Sequence, residues 1–270
     1  MRFSQGSVLV NKMIDSHCHI NDELYKENPA EYVKEAEKAG VFQFLVVGFD
    51  EKSSELALDI ANKYVSCFAA VGIHPSDAKK AQPGDLDKIK ELAKAKKVIA
   101  VGEIGLDYYW DKEEKIKELQ KQYFIEQIKI ANELNLPISI HCRDALEDCL
   151  KLLKENPVKR GGIMHCYAGS LEMSKDFIKL GFLLGLGGTV TFKNAVRPKE
   201  VAANVPSDSY VLETDAPYLT PHPYRGKENH YKYLNLVRDQ IAELRGISPE
   251  QVEKETNENF KRVFGVWRKS

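Results

Sequence analysis

Apolar positions gather into eight short runs along the chain, at 13–17, 43–48, 67–72, 98–102, 137–141, 162–165, 182–186 and 210–212. Each is rich in Val, Ile, Leu or Phe and bounded by Gly, Pro or polar residues, as expected of strands buried in a parallel sheet. Between the runs, apolar residues recur at helical spacing. That pattern predicts helices over 30–39, 53–63, 85–95, 112–134, 144–154, 171–180 and, with a weaker pattern, 195–203. Two more follow the last strand, over 232–245 and 249–264. Asp144 and Glu147 have capping-box spacing, and Ser248-Pro249 puts Pro in the first turn of the last helix. Strict strand–helix alternation over eight units predicts an α/β fold. No GxGxxG follows the first strand, which favours a (β/α)8 TIM-type barrel over a doubly wound sheet.

The length of 270 residues suits one such barrel. We expect a single domain over 13–270, with 1–12 as a short N-terminal extension and Met13 as an alternative start. The formal net charge of −1 argues against a protein that sheathes duplex nucleic acid, which would carry a basic excess. Any nucleic-acid substrate must be drawn by local charge and by metal ions. Five cysteines, an odd number without CxxC spacing, read as reduced thiols of a cytoplasmic protein. No apolar stretch nears the roughly 18–20 residues that span a bilayer, so no membrane association is expected. Residues 1–12 hold too little apolar sequence for a signal-peptide core.

The chemistry lies in where the histidines and acids fall. His17 and His19 close the first strand, His74 follows the third and Glu103 the fourth. His141 ends the fifth, His165 the sixth, and Asp215 follows the eighth. In a barrel these ends converge on the face where active sites are built. One histidine at a strand end is ordinary packing; five at equivalent positions are not. His17 and His19, two apart on a strand, point the same way and can reach one ion. Imidazole with carboxylate suits Zn, Mn, Fe or Ni, and a carboxylate can bridge two ions about 3.5–4 Å apart. Cys18, Cys142 and Cys166 each follow one of these histidines. Alternation turns them towards the helices, as small hydrophobes rather than ligands.

Seven segments run in order through this pattern: Asp15-Ser16-His17-Cys18-His19, Val71-Gly72-Ile73-His74-Pro75, Gly102-Glu103-Ile104-Gly105-Leu106-Asp107, His141-Cys142-Arg143-Asp144, His165-Cys166-Tyr167, Gly185-Leu186-Gly187-Gly188 and Leu212-Glu213-Thr214-Asp215-Ala216-Pro217. With the segment 225–229 and the helix ending near Phe264, they make the chain resemble the TatD-type metal-dependent deoxyribonucleases, a branch of the amidohydrolase-like barrels. The resemblance implies two divalent ions (Zn, Mn, Mg, Fe or Ni). It implies that His17, His19 and Asp215 hold one, and that Glu103 bridges to a second held by His141 and His165. It also implies phosphodiester hydrolysis on DNA, of the 3′-5′ exonuclease type. The chain departs from the family at Ile104, where Thr is common, and at Tyr231, where Pro is common.

Other residues have weaker claims. His74 suits proton donation or phosphate binding, or equally a strand cap. Arg143 reaches the site or pairs with a helix start. Arg225 and Lys227, in a Pro-rich loop, suit phosphate contacts or plain solvation. Gly185, Gly187 and Gly188 fit a phosphate loop or a tight turn. Glu213 shares its face with Asp215 and suits orienting a ligating histidine. The run 111–121 reads as a solvated helix face.

The expected mechanism is metal-assisted attack of a metal-bound hydroxide on a phosphodiester, with Asp215 positioning the nucleophile and taking its proton, and Glu103 alongside it. The alternative is a dinuclear amidohydrolase, lactonase or phosphotriesterase acting on a small molecule. Many of those bridge their ions with a modified Lys after strand 4, where this chain has Glu103. A non-enzymatic nucleic-acid or metal-storage scaffold fits the intact ligand set poorly, and a sugar-phosphate isomerase would not need it.

Overall fold

The strands are β1 (Met13–Cys18), β2 (Val41–Val47), β3 (Cys67–Val71), β4 (Val98–Asp107), β5 (Ile138–Arg143), β6 (Gly162–Met164), β7 (Phe182–Leu186) and β8 (Tyr210–Leu212). They pair in parallel in sequence order. The computed structural model describes residues 12–25 and 28–265, so the expected extension over 1–12 lies outside the described residues except for Lys12. The helices are α1 (Pro29–Lys38), α2 (Glu51–Lys63), α3 (Asp85–Leu92), α4 (Glu114–Leu134), α5 (Leu146–Glu155), α6 (Leu171–Lys179), α7 (Val196–Asn204), α8 (Leu234–Arg245) and α9 (Pro249–Phe264). The expected TIM-type barrel is the observed fold.

β8 is three residues long, so the ring closes beyond it. His17 O accepts from Asp215 N at 3.0 Å, and Ala216 O accepts from His19 N at 3.0 Å. The buried Asp15 carboxylate completes the seam, accepting from Thr214 N at 3.0 Å and from Thr214 Oγ1 at 2.6 Å. Burial pushes the Asp15 carboxyl up to about 7, against the hydrogen bonds from Thr214. The seam thus carries the backbone of His17, His19 and Asp215.

Alternation along the strands sorts apolar residues into two layers. One, including Val46, Val71, Ile104, Ile140 and Leu184, packs under the helices. The other fills the barrel with Ile14, Leu45, Val47, Phe68, Ile163 and Val211, joined by Phe260, Val263 and Phe264 of α9. α9 closes the N-terminal mouth: Asn257 Nδ2 donates to Lys12 O and Asn259 Nδ2 to Tyr210 O, at the starts of β1 and β8. Ser248 caps α9 by accepting from Gln251 N, with Pro249 in the first turn as expected.

Three local expectations fail. Asp144 is no capping-box residue: it sits at φ 53°, and Ala145, which precedes α5, is its N-cap without a side-chain hydrogen bond. β4 does not stop at Gly102 but runs on to Asp107, pairing along β5 as far as Arg143. Gly105 permits this, because a Cβ there would lie 2.0 Å from His141 O. The run 111–121 is not wholly solvated either, since Asp111 is buried and accepts from Lys79 Nζ at 2.5 Å. Tyr231, the departure from the family pattern, is fully buried against Tyr25 and Phe44.

Candidate metal centre

β1 delivers His17 and His19 from one face, and their Nε2 atoms stand 3.3 Å apart. His19 Nδ1–H donates to Val47 O at 3.0 Å, which leaves Nε2 free as a ligand. His17 Nδ1 is 3.2 Å from Ser139 Oγ. From β4, Glu103 Oε2 reaches to 3.4 Å from His17 Nε2 and 3.7 Å from His19 Nε2. From beyond β8, Asp215 Oδ1 lies 3.5 Å from both His19 Nε2 and His165 Nε2.

These atoms form three donor groups able to hold a metal ion among the described residues: His17–His19–Asp215, His17–Glu103–His165 and His74–Glu103–His141. The first matches the expected set. The expected second set, Glu103 with His141 and His165, is split here. The two histidines fall in different groups, their rings 6.5 Å apart, and Glu103 belongs to both. His74 enters with His141. Buried imidazole and carboxylate donors in such groups fit divalent transition metals.

The charges inside the site hold one another. Burial opposes ionisation of Glu103, yet the imidazoles of His17, His74 and His141 hold its carboxyl well below the usual range. Burial likewise opposes charge on Asp215, while His165 and His19 hold its carboxyl low. Burial disfavours charge on His141 and His165 as well. The carboxylates Asp107 and Glu103 carry His141 up to about 9, and Glu213 and Asp215 carry His165 up to about 10. A divalent cation would take the place of these shared protons. Burial, with His141 beside it, drives His74 down to about 3. Its Nδ1 accepts from Ser76 N, so the neutral ring carries its proton on Nε2.

Sequence reasoning missed Asp107. Its Oδ2 is 3.0 Å from His141 Nε2, while Glu103 Oε1 lies 2.9 Å from His141 Nδ1. The signal was alternation: Glu103, Gly105 and Asp107 share a face once β4 is extended. Glu213 stands where expected, with Oε1 3.2 Å from His165 Nδ1 in an ion pair and accepting from Cys166 N at 2.6 Å. A Cβ on Gly185 would come within 2.2 Å of Glu213 Oε2, so this glycine makes room for that carboxylate.

The histidines and acids open into a cavity of about 680 Å³, whose wall also includes Arg143, Trp110, Thr189 and Tyr218. Arg225 and Lys227 are exposed and outside its lining; the Arg225 guanidinium rests 4.2 Å from the Phe192 ring. Cys18 Sγ turns away to Leu45 O. Cys142 also turns to the helices, its thiol against Cys149 of α5, although the residue borders the cavity. Cys166, by contrast, faces the cavity, contrary to expectation, and neither cysteine joins a donor group among the described residues. Cys166 lies past the end of β6 at φ 45°, where strand alternation no longer sets its direction.

Clustered metal donors at the C-terminal mouth of a (β/α)8 barrel define a metal-dependent hydrolase. The chain belongs to the TatD related DNase family, whose model matches residues 14–265. It is 46% identical over 255 residues to the metal-dependent hydrolase YabD of Bacillus subtilis, covering 94% of this chain and 99% of that one. It is 31% identical over 260 residues to the 3′-5′ ssDNA/RNA exonuclease TatD of Escherichia fergusonii, covering 94% and 99%. The crystal structure of the TatD homologue YjjV from Escherichia coli superposes with a TM-score of 0.90 at 29% identity, over 96% of this chain and all of that one.

Proposed function

We propose that this protein is a divalent-metal-dependent phosphodiesterase that trims single-stranded DNA from its 3′ end. The observation that carries the reading is Glu103, a buried carboxylate common to two donor groups and facing Asp215 across His17 and His19. That is the arrangement a pair of neighbouring ions requires. The family description and the name of the E. fergusonii relative point to nucleic acid.

Bound divalent ions would supply Lewis-acid polarisation of the phosphodiester and lower the pKa of water. His17, His19 and Asp215 would hold one ion, and Glu103, with His141 and His165 from the two donor groups it shares, would hold the other. Asp215 would orient the attacking water and take its proton as the bond from phosphorus to the leaving oxygen breaks, and that oxygen would depart with a proton passed back from Asp215 or from solvent. His74 is neutral, lines the cavity and carries its proton on Nε2, 3.7 Å from Glu103 Oε1, so it would serve as a hydrogen-bond donor to a phosphoryl oxygen seated there. Arg143 meets the phosphate at the wall, and Arg225 with Lys227 meets phosphates farther along the strand. Residues 13–270 act as one domain on this reading. Five free cysteines suit a cytoplasmic setting, and no helix among the described residues is long and apolar enough to cross a membrane.

A cavity of about 680 Å³ also suits a small ester or lactone. Strands labelled at the 5′ end separate the readings. The proposal expects a ladder shortening from the 3′ end, stopped by a 3′ block. Hydrolysis of small esters with intact strands would replace it by the small-molecule reading.

A further inference from the structure

Four aromatic side chains are exposed among the described residues: Tyr109, Trp110, Tyr218 and Tyr224. All stand on the loops after β4 and β8, at the catalytic mouth. Trp110, 69% exposed, lines the cavity that holds the donor groups. Its ring meets Tyr109 edge-on at 4.7 Å between centroids. The Arg143 guanidinium lies 3.7 Å from the centre of Tyr109 and 5.7 Å from that of Trp110. This group is tied to the metal centre by one carboxylate. Asp107 Oδ1 accepts from Tyr109 N at 3.0 Å and from Trp110 N at 3.3 Å, while its Oδ2 holds His141.

We propose that Trp110, backed by Tyr109 and Arg143, is the shelf on which the unpaired base beside the scissile phosphodiester stacks. The inference rests on the nuclease reading and names how that site selects its substrate. An indole face left in water next to a polar cavity gains by covering itself with a base. Every base has such a face, so the contact is indifferent to sequence. Arg143, held over Tyr109, supplies a fixed cation for the adjoining phosphate. Asp107 keeps shelf and candidate ligand in register, so a base seated on Trp110 sets its phosphate against the donors. A base paired within a duplex cannot offer its face there without unstacking, which makes the shelf a filter for single strands.

The chain's two tryptophans are Trp110 and Trp267, so Trp267→Phe leaves Trp110 as the fluorescent reporter. The full-length, manganese-loaded variant is titrated with a short phosphorothioate oligothymidylate and with an abasic strand of equal length. The thymidylate strand should quench Trp110 and bind roughly five- to 150-fold more tightly than the abasic one. Trp110→Ala should erase that difference, read by anisotropy of a labelled strand, and Trp110→Phe should keep most of it. Equal affinity for the two strands, or a preference that survives Trp110→Ala, would overturn the shelf. Strand cleavage is scored separately. A protein that cuts strands without base preference loses the shelf and keeps the nuclease reading; one that cuts no strand with any metal loses both.

Discussion

Asp107 grips the aromatic loop with one carboxylate oxygen and His141 with the other, and so shows how single residues set this site. Replacing it with Asn keeps the shape but removes the charge that orients and charges His141. Asp107→Asn should weaken metal binding by roughly 10- to 100-fold in a metal titration, with the melting temperature little changed. Unaltered metal affinity would reduce Asp107 to a loop anchor. Asp215→Ala should abolish hydrolysis while the circular dichroism stays native, and substantial residual turnover would remove it from the base role. Most of these side chains were legible because histidines are few and their strand-end positions coincide. His17, His19, Glu103, His141, His165 and Asp215 needed only a strand assignment and alternation. Asp107 was lost because the fourth strand was expected to end at Gly102. Trp110 was lost because one aromatic in a loop carries no periodic signal.

The eight strands and nine helices among the described residues were legible from periodicity, and their errors have local causes. β4 was expected to end at Gly102, but Gly105 lies against His141 O and so allows β4 and β5 to stay paired beyond it. Gly105→Ala should therefore impair folding and metal retention together, read as lost soluble yield and reduced bound metal. α5 starts late because Asp144 occupies a left-handed turn instead of a cap, a tertiary choice that local spacing does not encode. α9 was expected as an amphipathic helix, but its position was not: Phe260 and Phe264 stack at 4.4 Å and plug the barrel from below. Phe260→Ala should cost about 3–5 kcal/mol in a urea titration, leaving the metal content of the folded fraction unchanged. A loss below about 1 kcal/mol would mean that the plug is not part of the cooperative core.

Across the whole molecule the near-neutral charge limits how a strand would be held on the proposed function. If Arg143, Arg225 and Lys227 are the cationic contacts proposed above, strand affinity should fall only gently with salt, by a slope of roughly −0.7 per phosphate neutralised. Arg225→Ala should flatten that slope by about 0.7, and an unchanged slope would take Arg225 out of the strand's path. The fold places the donors at the wide C-terminal mouth and the α9 plug at the other end, so substrate enters from one side. The central proposal is that Glu103 would help hold the divalent metal on which phosphodiester hydrolysis would depend. It is tested most directly by stripping the protein of metal, returning Mg, Mn or Zn, and following a fluorescent single strand beside Glu103→Ala. The account predicts cleavage that returns with metal and is lost in Glu103→Ala. No cleavage under any metal, or cleavage undiminished in Glu103→Ala, would contradict it.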